Sequence, residues 1–72
     1  MQPQTNAELT AWNYGRDLAI ARGHGLPDAD AFRAVVTDDT YAAIRGAVAT
    51  LGHDIFATWA DQGFAAHQRD HR

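Results

Sequence analysis

The sequence predicts an all-α fold: two main helices in an antiparallel hairpin, with a short helix inside the connection. Three observations carry this. Tyr41, Ile44, Val48, Leu51 and Ile55 recur at spacings of three, four, three and four, an apolar seam of heptad type. Thr5 and Glu8 stand three apart at the head of a second periodic stretch, the pattern of a capping box. Between the two stretches lie Gly23-His24-Gly25 and Pro27, which stop one helix and restart the chain.

Taken in order, Met1 to Gln4 is a polar arm expected to fray. Asn6 to Arg22 reads as the first helix. Ala7, Ala11, Tyr14, Leu18 and Ala21 mark one stripe, and Leu9, Trp12 and Ile20 a neighbouring one. Arg16 and Asp17 are expected to face outward. Gly23 is expected to end the helix in the left-handed conformation. Ala29 to Val36 offers about two turns, with Ala29, Phe32, Val35 and Val36 on one side and Phe32 plugging a gap between longer helices. Thr37 or Asp38 then caps the main helix, and Asp38 and Asp39 suit its positive end. Gly52 interrupts it. The seam runs in phase from Leu51 to Ile55, which favours one helix, bent at Gly52 and reaching Ala66 or Gln68. The alternative is a break there, with Asp54 capping a new helix. Residues 69–72 are expected to fray.

The chain has 72 residues, enough for one domain with a small core. It has no cysteine, so neither disulfides nor thiolate metal sites can support that core. Association with a second chain is the remaining common means, and a homodimeric helical bundle is the expected assembly. Small residues flank the seam and its extension: Gly46, Ala47, Ala49, Gly52, Ala57, Ala60 and Gly63. They permit close approach of another helix, either a dimer partner's or the chain's own first helix.

Every basic residue is Arg and, apart from Glu8, every acid is Asp; with the Ala richness this suggests a GC-rich bacterial or phage origin. The formal net charge of −3 argues against non-specific nucleic-acid binding. No apolar run approaches the ~20 residues that span a bilayer, and residues 1–6 lack the pattern of a secretory leader. A cytoplasmic location, bacterial or in an infected host cell, is the expectation.

The sequence holds neither Ser nor Cys, so the commonest nucleophiles are missing, and no enzymatic activity or cofactor is expected. Asp54 and Asp61, seven apart, could share a helix face, but no pocket is evident around them. His67 and His71 share a face if helical, yet two ligands do not make a zinc site, so no metal is expected. Asp28–Val36 followed by Asp38 onward imitates a helix-turn-helix. Its second helix opens with Asp38, Asp39 and Thr40, and the two acids would repel phosphate; DNA-binding regulation is nonetheless the rival reading, with a His-based metal-binding protein as a more distant second. The aromatics favour protein binding. Phe56, Trp59, Gln62, Gly63 and Phe64 lie beyond the clean seam and are expected to present a patch to a larger bacterial protein. The expected role is that of a small phage or mobile-element accessory protein, an inhibitor or adaptor that occludes a site on its partner.

Overall fold

The computed structural model of the chain describes residues 2–70, which form four α-helices and no strand. They are α1 (Asn6–Gly23), α2 (Asp28–Val35), α3 (Asp38–Leu51) and α4 (His53–Asp70). The all-α expectation holds, but the architecture is a four-helix one rather than a hairpin with a short insert. Met1, His71 and Arg72, which the fraying expectation includes, lie outside the described residues. Arg69 and Asp70 are helical, so α4 runs past the expected end at Ala66 or Gln68.

The start of α1 is built as its sequence indicates. The Glu8 amide donates to Thr5 Oγ1 at 3.2 Å, and the Glu8 carboxylate accepts from the Thr5 and Gln4 amides at 3.1 and 3.0 Å. At the other end, His24 caps the helix and its amide donates to the Ile20 and Ala21 carbonyls. Gly25, not Gly23, takes the positive φ of 83° that turns the chain away. Pro27 precedes α2, and Thr37 caps α3. The Thr37 amide donates to Thr40 Oγ1 at 2.6 Å, and the Thr40 hydroxyl also reaches the Val35 carbonyl, tying α3 to the end of α2.

Gly52 breaks the main helix. Its φ of 85° and ψ of 158° lie in a region essentially closed to residues with a Cβ. The Gly52 amide donates to the Val48 carbonyl at 2.7 Å, and its carbonyl accepts from the Phe56 amide at 3.0 Å. One residue therefore finishes α3 and begins α4. The in-phase seam misled because periodicity presumes a continuous axis, and the axis turns here. Tyr41 and Ile55, the ends of the seam, are 53% and 52% exposed. Its middle, Ile44, Val48 and Leu51, is half-buried against Ala11, Ala47, Phe56 and Trp59.

α1 packs against all three other helices, most extensively against α4. Where α1 and α4 meet, Gly15 and Gly63 remove the side chains that would hold the backbones apart. A Cβ on Gly15 would run into the Ala60 carbonyl, and a Cβ on Gly63 would run into the Trp12 carbonyl. Ala11 and Ala19, four residues either side of Gly15, are buried with it. Small residues at these positions let the two backbones touch, where dispersion contacts are densest and Cα–H···O contacts become available.

The particle measures 32 × 28 × 17 Å, less than two helix diameters in its thinnest direction. A slab of that thickness has no interior layer. Accordingly, among the described residues no large side chain is fully buried; the buried hydrophobic residues are five alanines with Phe56 and Trp59. Phe32 does not plug a gap. It is 48% exposed, and Ala31 on the adjoining face is the buried residue of α2. An eight-residue helix lying against one neighbour buries a single narrow face.

Two glycine variants distinguish close approach from ordinary helix propensity. Gly15→Ala and Gly63→Ala are expected to destabilise the fold by about 3 kcal/mol or more, beyond ordinary overpacking, because the obstructing atoms are backbone. Gly46→Ala, with open space around its missing Cβ, is expected to stabilise by about 0.5–1 kcal/mol. Urea unfolding of the three variants checks both signs. By the same measurement Gly52→Ala loses about 1–3 kcal/mol.

Candidate interaction surface

The residues expected to form the partner patch lie instead along the contact between α4 and α1. Phe56 and Trp59 are 8% and 7% exposed, Gly63 is buried, and Gln62 and Phe64 are half-buried. The Phe56 ring meets that of Tyr14 at 5.7 Å between centroids, tilted by 43°. The Arg22 guanidinium sits over the Phe64 ring at 5.1 Å. The expectation of an exposed patch from Phe56 to Phe64 is therefore corrected. The turn at Gly52 re-aims the chain, so that Phe56, Trp59, Ala60 and Gly63 form a new stripe facing α1. Its spacing of three to four was present in the sequence, one residue out of phase with Ile55.

The large apolar side chains left exposed are Leu9, Ile20, Leu26, Phe32, Tyr41 and Ile55, each between 37% and 53% accessible. The sequence pattern places Leu9, Ile20 and Phe32 on internal faces. Leu9 and Ile20 are displaced because the inner face of α1 is occupied by the small residues Ala11, Gly15 and Ala19, and Phe32 because α2 buries only the face carrying Ala31. The signal was available: three small residues at spacing four, centred on a glycine that lowers helix propensity.

The charged groups are arranged differently. Arg16, Arg22, His24, His67 and Gln68 line an open cleft of about 1090 Å³, with Ala19, Ile20 and Gly23 in its wall. The Arg16 guanidinium lies 5.8 Å from the Trp12 ring centre and makes a long 3.4 Å contact with Asp17. Neither residue points wholly outward, as both are half-buried. Arg16 Nε is covered by protein and has no hydrogen-bond partner. Arg22 Nε pairs with Asp28 at 3.0 Å. The first pair is half-exposed and the second more so, with Asp28 largely in solvent, and each contributes at most about 1 kcal/mol. Asp54 and Asp61 are exposed. Among the described residues no group of three or more His and carboxylate side chains is placed to hold a metal. The His67–His71 pair cannot be placed, because His71 lies outside them.

Burial raises the Tyr14 hydroxyl above its ordinary value of 10.0, opposed in part by the Arg22 charge. The folded state thus holds this proton more tightly than the unfolded chain. The resulting stability is complete below about pH 10 and is lost as pH climbs through the raised value. Melting temperatures measured from pH 8 to 11 should fall less steeply for Tyr14→Phe than for the parent chain. Trp59→Ala should cost about 3–5 kcal/mol, as expected for a core aromatic; a loss near zero in thermal unfolding would restore it to the surface.

Comparison with protein-family models, with curated proteins and with solved structures finds no significant match to this chain.

Proposed function

We propose that the chain is a non-enzymatic protein-binding module that associates with a second copy of itself and docks on a larger bacterial protein. In this reading it acts as a small accessory protein of phage or mobile-element type, occluding a site on its partner. One observation carries the proposal: the large apolar side chains Leu9, Ile20, Leu26, Phe32, Tyr41 and Ile55 stand 37–53% exposed in the folded chain. Its accessible surface is 5017 Å². A monomer of 7.9 kDa is expected to expose roughly 4,400 Å². The accessible surface thus exceeds the average for this size by about 600 Å² of polar and apolar area together.

The binding groups in this reading are not the Phe56–Phe64 stretch but the half-exposed Leu9, Leu26, Phe32, Tyr41 and Ile55. Tyr and Phe are rigid side chains that lose little entropy when an interface immobilises them. The Arg45 guanidinium, 5.8 Å from the Tyr41 ring centre, leaves a cation beside that exposed aromatic. This Arg–Tyr combination is enriched at the energetic centres of interfaces.

The mass in solution is the direct test. Light scattering at tens of micromolar should give twice 7.9 kDa; a monomer mass removes the dimer. Phe32→Asp and Tyr41→Asp should each leave the helical circular dichroism intact, since both positions are already half in water. They should also weaken capture of the partner from bacterial lysate by about tenfold, the usual scale for a lost hot spot. Undiminished capture by both variants would remove these side chains from the binding surface.

A further inference from the structure

We propose that the cleft between the second half of α1 and the last turns of α4 binds a tetrahedral oxyanion, either free phosphate or the phosphate group of a small molecule. The chain is acidic overall, with nine carboxylates against six arginines. Yet among the described residues the charged and titratable side chains lining this cleft are all of the basic kind: Arg16, Arg22, His24 and His67, with the Gln68 amide beside them. Two of the six arginines and two of the four histidines converge at one place; among the described residues no carboxylate lines it, although Asp17 and Asp28 each pair with one of the arginines from outside the lining.

Both guanidinium groups are held before any ligand arrives. Arg16 is held near the Trp12 ring, and Arg22 over the Phe64 ring and against Asp28. With Arg16 Nε covered and its Nη2 on Asp17, and with Arg22 Nε on Asp28, the donors left for an oxyanion are the remaining terminal Nη groups, already positioned beside an aromatic ring and with less entropy to lose. Helix C-termini ordinarily repel anions. That objection is weakened at α1, whose last carbonyls already accept from the backbone amides of His24, Gly25 and Leu26. The exposed His24 imidazole adds a donor on the same side. The volume, about 1090 Å³, exceeds what phosphate alone fills, and Ala19, Ile20 and Gly23 give the remainder an uncharged wall suited to the organic part of a phosphate ester.

The test is a titration of the intact chain followed by NMR, with inorganic phosphate in one arm and adenosine monophosphate in the other. Saturable shifts are expected at the His24 and His67 rings. Arg16→Gln and Arg22→Gln should each weaken binding about tenfold or more, the loss of one charge-assisted contact. His24→Gln, exposed and capping α1 through its backbone, provides a variant whose folding is not at issue and should weaken binding by a smaller factor. Arg33→Gln, on α2 away from the cleft, should bind as the parent does. Tighter binding of the nucleotide assigns the site to an esterified phosphate, and equal binding to the free ion. No saturation of either probe by about 10 mM, or equal weakening by Arg33→Gln, overturns the proposal.

Discussion

The structure depends on a contact that contains almost no side chain. Gly15 and Gly63 let the backbones of α1 and α4 meet, each glycine lying against a carbonyl of the opposite helix. Because the gap between the axes has closed, the flanking buried positions can hold only small residues, and Ala11 and Ala19 occupy them. The larger apolar groups are pushed to the margins of the contact. Tyr14, Phe56 and Trp59 still find cover there, whereas Leu9 and Ile20 remain in solvent. Tight packing at the centre and exposure at the edge are two results of one geometric choice.

That choice sets the energetics. A core of alanines with two aromatics transfers little apolar area from water, and each buried CH₂ group contributes only ~0.8 kcal/mol. Dense backbone contact offsets part of the deficit through dispersion. Capping does further local work: the Thr5–Glu8 box, the Thr37–Thr40 pair and the His24 cap satisfy amides or carbonyls that would otherwise face water alone. A chain with so thin an interior gains from any neighbour that covers its outer apolar groups, which is the physical ground for the association proposed above.

Features resting on residues three or four apart were legible in the sequence. Thr5 reads as a cap and Glu8 as its reciprocal partner because the hydrogen bonds between them are local. Ile44, Val48 and Leu51 read as one face because they share a helix. Legibility failed where a single backbone residue changed direction. Gly52 could be seen as a weak point, but its positive φ is decided by tertiary packing, and every assignment downstream of it inherited the wrong face. Gly15 was missed for a related reason. Its small-residue stripe with Ala11 and Ala19 is local, but its counterpart Gly63 lies far along the chain, where no periodic pattern links them.

The pairing of the first helix with the fourth also orders the events of synthesis. Some 45 positions separate Gly15 from Ala60. At about 5–20 residues per second, a nascent α1 therefore waits several seconds for the helix it must touch. Until α4 emerges, the stripe of Ala11, Gly15 and Ala19 has no counterpart. The caps can shape α1 during that interval, but its closest packing can form only once the last of the four helices has been made.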